Sequence, residues 1–252
     1  MYPEFLAAEA FAYLLVFTRI GSMIMVMPGL GERMIPARMR LVLALAISLL
    51  IYFLVADILP PMPASPFALA GLIIGEVVVG LMIGGIARIL LSALHVAGSV
   101  LAVQTGLAAA QQFDPTQGSQ GALMAGFLTL MGVTLIMVLD LHHLLIGAMD
   151  SSYRLFPPGG SLPVQDMAEM AMNVVGRSFA IGLQLAAPFM VYGLIFYIGV
   201  GIISRLMPTL QIFFIAMPLN IMAGFAIMML VLSGIMTWFA DYFESQMIVF
   251  LG

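Results

Sequence analysis

Residues 95–121 read HVAGSVLAVQTGLAAAQQFDPTQGSQG, and the two halves of that stretch ask for different surroundings. The first half, His95–Ala110, is apolar but shorter than the roughly 20 residues that a spanning helix needs. The second half, Ala110–Gly121 (AQQFDPTQGSQG), carries glutamines, an Asp-Pro step, a Thr, a Ser and two glycines around a single Phe. Strongly apolar segments lie on either side, Phe67–Leu91 before and Ala122–Ala148 after. A short apolar piece followed by a polar loop suggests a chain that turns back rather than crosses. Polar backbone at such a depth is tolerated where it lines a water-filled conduit or is buried in protein.

Working outward, composition sets the class. Of 252 residues, 63% are hydrophobic and 8% charged, against about half and about a quarter in soluble domains. A soluble fold of this size buries only about 70–75% of its surface, too little to hide so much apolar area. The chain is therefore a membrane protein, or an obligate subunit of something equally apolar. All eight basic residues are Arg, and the net charge of −4 with no basic cluster argues against nucleic acid as a partner. Without cysteine there are no disulfides or thiolate metal sites. The opening MYPEFLAAEA lacks the basic flank and small-residue pattern of a removable signal peptide.

Six apolar segments qualify as helical spans: Ala10–Leu30, Leu41–Leu59, Phe67–Leu91, Ala122–Ala148, Met170–Gly199 and Thr209–Ala240. Helix is the only reading, because open strand edges cannot sit in hydrocarbon. DILPPMPASP (Asp57–Pro66) is a turn, and Ser151–Glu169, containing FPPGGSLP, is the longest polar connector. No internal boundary is visible, so residues 1–252 read as one helical domain. If His95–Ala110 dips in and returns, Arg33, Arg38, Arg40, Arg88 and Arg205 share one side. The positive-inside rule then places the N-terminus outside and the loop 32–40 in the cytoplasm.

Several segments are interrupted. Pro28, Pro188 and Pro218 each remove a backbone donor and are expected to kink their helices. Gly71/Gly75 and Gly80/Gly84 give two small-xxx-small spacings that allow a neighbouring backbone to approach. Such helices suit packing against protein more than standing alone in lipid.

Charges inside apolar segments are costly, at least roughly 2.5–3.5 kcal/mol on insertion scales, and call for partners. Arg19 sits in the middle of the first segment, Glu76 well inside the third and Asp140 late in the fourth. Glu76 cannot reach Arg88, since twelve helical residues separate them by about 18 Å. Arg19 and Glu76 lie at similar depths, so an interhelical pair is the preferred reading and an ion or proton relay the alternative. Asp140 and His143 share a helix face, and with His142 they raise the question of a metal or acid–base site. No HExxH and no second carboxylate supports one, so a hydrogen-bonded cluster at a helix end is preferred and no metal ligand or cofactor is assigned. No GxSxG serine, cysteine or phosphate-binding glycine loop points to catalysis. The 23 methionines, dense in MIMVMP (Met23–Pro28) and IMMLVLSGIM (Ile227–Met236), either stand in for Leu or supply a deformable lining.

Four blocks, in order, resemble one family. Arg19 and Pro28 are followed by IPARMR (Ile35–Arg40) and LVLALAISLL. Then comes the Gly80/Gly84 segment. The third block is QTGLAAAQQFDP, with Gln104, Gly106, Leu107, Asp114 and Pro115 in the spacing Q-x-G-L-x(6)-D-P, and an apolar segment leads from it to DLHHLLI. The fourth is RLMPTLQIFFIAMPLNI, with Arg205, Pro208, Gln211, Pro218 and Leu219. The arrangement resembles the FliR family of flagellar export-gate subunits, whose relatives serve injectisome type III secretion.

That resemblance implies an all-α, membrane-associated subunit whose kinked helical hairpins pack into a larger export-gate assembly with FliP-like and FliQ-like subunits. Its expected place is the bacterial inner membrane at the flagellar basal body. FlhB-like and FlhA-like components would be further partners, with unfolded proteins passing through the conduit and lipid around it. In this frame Gln111, Gln112, Phe113, Asp114, Pro115, Gly118, Gly121 and Met124 are the gate-loop residues. Phe113 is the main plug element and Met124 a possible second. Arg19, Glu76, Arg88, Asp140 and Arg205 serve assembly, and Gly71, Gly75, Gly80 and Gly84 helix packing. Relatives often carry more apolar residues where Gln111 and Gln112 stand here. A self-sufficient transporter or channel is the competing reading, but it lacks the inverted repeat that many transporters show. A membrane-embedded enzyme lacks a nucleophile or metal set.

Overall fold

The computed structural model describes residues 2–32, 34–110, 120–207 and 212–251, and among these there are helices and connecting turns but no strand. The α-helices run α1 Tyr2–Val26, α2 Ala37–Val55, α3 Pro66–Gln104, α4 Leu107–Ala110, α5 Gln120–Val138, α6 His142–Leu155, α7 Val164–Leu185, α8 Ala187–Leu206 and α9 Ile212–Met247. A helix satisfies its own N–H and C=O groups, which is why a sequence this apolar folds almost entirely into helices.

Prolines and positive-φ positions set the boundaries. α1 stops just before Pro28, where Gly29 takes φ 82° and the Gly31 N–H returns to the Met27 carbonyl at 2.8 Å. α3 opens on Pro66, whose missing N–H is harmless in a first turn. Pro188 has no N–H to give and its ring would collide with the Gln184 carbonyl, so α7 ends at Leu185 and α8 starts afresh at Ala187. The expected span Met170–Gly199 is thus two helices. Pro218, by contrast, lies inside α9, which continues through it.

Residues 91–104 fold otherwise than their polarity suggests. α3 is unbroken over 39 residues, about 58 Å at 1.5 Å per residue, so Phe67–Leu91 and most of His95–Ala110 are one helix. The chain does not turn back before His95. It turns at Thr105–Gly106, where Gly106 adopts φ 75° and its N–H bonds the Val103 carbonyl at 3.2 Å. Arg88 therefore lies within α3, and the dip and return that grouped five arginines on one side is absent from residues 91–104. The polar connector is also shorter than expected, because α6 extends to Leu155 and α7 begins at Val164.

Among the described residues, five helices are long and apolar enough to cross a membrane; a sixth crossing would be the pair Leu123–Val138 and His142–Leu155, bent by 75° at its break. α7 does not qualify. Its buried residues, Met167, Val174, Ser178 and Leu185, form one stripe, while Gln165, Asp166, Glu169, Asn173 and Arg177 are exposed. That is the pattern of an amphipathic helix.

Two compact units emerge, residues 1–90, 136–175 and 243–252 forming the first and residues 91–135 and 176–242 the second. In the first unit α1 buries Leu15, Arg19 and Met23 on one side of a stripe, a row that Met27 continues just past its end, and Val16, Ile20 and Ile24 on the other. That four-residue repeat is a helix face, and a charge stands in the middle of it. α2 packs along α1 through Ala44, Ser48, Ile51 and Val55. In the second unit Leu94, Leu101, Leu128, Phe189, Met236 and Phe239 are core. Met23, Met27 and Met236 are buried while Met25 and Met229 are exposed, so methionine fills core gaps and outer faces alike.

Candidate functional site

Arg19 and Glu76 meet as a two-pronged pair in the first unit. Arg19 Nε donates to Glu76 Oε2 at 2.6 Å and Nη2 donates to Oε1 at 2.9 Å. The remaining donors go to the last turn of α6. Nη1 reaches the Ser152 carbonyl at 3.0 Å and Ser152 Oγ at 3.4 Å, and Nη2 also reaches the Phe156 carbonyl at 2.9 Å. Tyr153 lies under the guanidinium, 4.2 Å from Cζ to the ring centroid, a cation–π placement. Arg19 is 0% and Glu76 2% exposed.

A guanidinium carries five N–H donors in a fixed fork, and here the acceptors number enough to take them all. Two acceptors are carbonyls at the C-terminal end of α6, where a helix presents partial negative charge. Arg19 thus neutralises a carboxylate on α3 and caps α6 at once. A relay needs a site with donors or acceptors to spare, and this arginine has none. An open cavity of about 370 Å³ adjoins the pair, lined by Gly71, Gly75, Pro157 and Leu162 among others.

The glycines divide by what faces them. A Cβ on Gly84 would stand 2.7 Å from the Met23 carbonyl oxygen, and one on Gly80 would collide with Ser22 and the Arg19 carbonyl. These two let α3 lie directly on the α1 backbone, which brings Glu76 within reach of Arg19. Gly71 has nothing within 4 Å of such a Cβ, and Gly75 only the tip of Leu162 at 3.8 Å. Within this chain Gly71 and Gly75 meet no neighbouring backbone: they face the cavity.

In the second unit a polar knot holds the end of α3. Asn220, 2% exposed on α9, donates from Nδ2 to the Gln104 carbonyl at 3.2 Å and accepts from Tyr192 Oη at 2.8 Å on Oδ1. Gln104 is in the last turn of α3, where a carbonyl has no helical partner, so Asn220 supplies one. The next residue, Thr105, is buried and packs its methyl against Gly224, and Gly106 turns the chain. Gln104 and Gly106 of the Q-x-G-L spacing are thus the helix end and its left-handed cap.

The gate-loop residues that begin five positions beyond Gly106, namely Gln111, Gln112, Phe113, Asp114, Pro115 and Gly118, lie outside the described residues, as do Arg33, Pro208 and Gln211. Gly121 falls in the first turn of α5 and Met124 in the second, half-buried. Met124 contributes its carbonyl to a close approach that only Gly98 permits, 2.7 Å from where a Cβ would stand.

The other charges are peripheral. Arg88 pairs with Glu32 where both side chains meet solvent, and such pairs contribute at most about 1 kcal/mol. Arg205 is exposed in the last turn of α8, where positive charge suits the free carbonyls. Asp140 is exposed at the break between α5 and α6 rather than inside a helix, with φ 59°. The break brings together one ligating atom each from Asp140, His142 and His143, all within 4.8 Å of one another.

Sequence reasoning missed Ser152, Tyr153 and Asn220. The first two sit in what reads as a polar connector. Asn220 left a usable signal, because an amide inside the apolar run AMPLNIMAG is a polar group that must find a partner.

Long apolar helices, polar groups consumed by internal clamps and close glycine-mediated packing define a helical membrane-type protein. The chain belongs to the bacterial export proteins, family 1, whose pattern matches residues 10–246. It is 41% identical to the flagellar biosynthetic protein FliR of Caulobacter vibrioides over 97% of both chains. Identity to FliR of Aquifex aeolicus is 29%, over 94% of this chain and 91% of that one. The Yop proteins translocation protein T of Yersinia pestis is 27% identical over 87% of this chain and 85% of its own.

Proposed function

We propose that the chain is a structural and gating subunit of a flagellar type III protein export gate in the bacterial inner membrane. With FliP-like and FliQ-like subunits it forms the conduit for unfolded flagellar proteins, next to FlhB-like and FlhA-like components. The observation that carries this reading is the 41% identity to a flagellar FliR over 97% of both chains. The higher identity to that chain than to the translocation protein T of Yersinia pestis favours the flagellar over the injectisome system.

The geometry supports a structural role. Arg19 and Glu76 are consumed by each other and by α6, which speaks for a clamp and against a relay. α3 and α9, at 39 and 36 residues, are about twice the length a 30 Å hydrocarbon core requires. Helices of that length suit an assembly that rises out of the bilayer plane. α8 exposes Val191, Leu194, Ile195, Ile198 and Ile202, apolar surface for lipid or neighbouring subunits. The loop Gln111–Gly121 is the gate, with Phe113 its stopper and Met124 its second apolar element.

Copurification tests the proposal. Expressed with its neighbours from the same bacterium, the tagged chain should come out of mild detergent in a stable complex with two other small helical membrane proteins. Recovery alone or as a homo-oligomer would support the self-sufficient transporter instead.

A further inference from the structure

We infer that Asp140, His142 and His143 form a binding site for a borderline divalent cation, Zn²⁺ being the best fit, at the break between α5 and α6. One ligating atom from each side chain lies within 4.8 Å of the other two, close enough for a single ion to draw the set together at the 2.0–2.2 Å bond lengths such ligands take. The two imidazole rings sit side by side, 4.3 Å between centroids and 34° apart in plane.

A second observation is independent of that clustering. His142 Nδ1 is buried and has no hydrogen-bond partner. A buried polar atom left bare is costly, and an ion taken up by this nitrogen would remove the cost. The backbone adds to the arrangement. Asp140 is the one non-glycine residue with positive φ among the described residues, and that conformation brings its carboxylate back beside the first turn of α6. The His143 N–H bonds the Asp140 carbonyl at 3.0 Å, which holds the two residues in register.

Two imidazoles and one carboxylate are a donor set for Zn²⁺, Co²⁺ or Ni²⁺ rather than for Mg²⁺ or Ca²⁺, which favour all-oxygen sites. Three protein ligands leave a coordination position open, and Asp140 and His143 are exposed, so the fourth ligand is water or a group from a neighbouring chain. A bound ion would tie the break to the first turn of α6 and so stiffen it. The sequence alone disfavoured a metal because no second carboxylate or HExxH is present. The left-handed turn at Asp140, invisible in the sequence, is what makes three ligands from four consecutive residues converge.

Co²⁺ titration of the full chain, carried on a tag without histidine, is the test. The expected result is one ion per chain, with visible absorption of inner-sphere low-symmetry Co²⁺ that Zn²⁺ displaces. Asp140→Gly and His143→Gln should weaken binding by at least on the order of 100-fold, beyond the roughly 10–100-fold lost on changing an outer-shell partner. Glycine accepts positive φ freely, so Asp140→Gly keeps the break while removing the ligand. His95→Ala, far away on α3, should bind as the parent does. Zn²⁺ should raise Tm in the parent and in His95→Ala but not in the two ligand variants. Absence of stoichiometric uptake, or equal affinity in Asp140→Gly and the parent, overturns the inference.

Discussion

Arg19 and Glu76, separated by 57 positions in the chain, share two hydrogen bonds of 2.6 and 2.9 Å, and both side chains are buried. The remaining donors of Arg19 hold the Ser152 and Phe156 carbonyls. Glu76→Ala leaves a guanidinium buried without its carboxylate and with two of its five acceptors gone, and breaking such a pair costs about 3–5 kcal/mol. Denaturation of the detergent-solubilised chain should reveal a loss of that size. Exchanging the residues, Arg19→Glu with Glu76→Arg, should not restore stability, because a carboxylate at position 19 would face two carbonyls. Recovery in the exchanged chain would mean that the α6 carbonyls are not part of the clamp.

The Arg88–Glu32 pair is a contrast built into the same unit. Its side chains are 45% and 25% exposed, so Arg88→Gln should cost less than about 1 kcal/mol and less still at high salt. A cost comparable to that of Glu76→Ala would contradict the argument from burial.

Glycines of the same helix should separate cleanly. Gly84→Ala places a methyl against the Met23 carbonyl, which must move, at about 1–3 kcal/mol for overpacking. Gly71→Ala meets open space and should be neutral or stabilising by about 0.5–1 kcal/mol, since alanine is the better helix former. Thermal unfolding of the two variants side by side decides it.

Asn220→Leu removes the donor to Gln104 and the acceptor for Tyr192. Each group left bare costs about 1–3 kcal/mol, and the loss should appear locally first. Hydrogen exchange across residues 101–106 is expected to speed up, with the amides around Arg19 unchanged. Unaltered exchange at the end of α3 would show that Asn220 does not hold it.

The proposed gate makes its own demand. Replacing Gln111–Gly121 with small flexible residues should let the assembled gate pass ions or small solutes, and Phe113→Ala should do so to a lesser degree. Permeability indistinguishable from the parent gate would remove the loop from the role.

Much of the architecture was legible because apolar helices announce themselves by length and composition. Pro28 and Pro188, expected to kink helices that run through them, stand instead where α1 and α7 have ended. The depth argument led to Arg19 and Glu76, since a charge in an apolar run needs a partner and only one candidate lay at matching depth. Length misleads at His95–Ala110, which reads as a short separate piece that turns back, although nothing there stops the helix before Gln104. Gly71 and Gly75 share the spacing of Gly80 and Gly84, yet within this chain only the latter two meet a neighbouring backbone. Spacing states where a neighbour could approach, and only the packing states whether one does.

By itself, then, the sequence determined the helical class, the membrane character and the need of Arg19 and Glu76 for partners, because these follow from the cost of placing polar groups in apolar surroundings. The tertiary structure alone decided that Arg19 also caps α6, that Asn220 holds the end of α3, and that Asp140 turns to meet His142 and His143. Each joins groups through hydrogen-bond geometry or a left-handed backbone angle, and residue order along one chain does not encode the distances between helices that such bonds require.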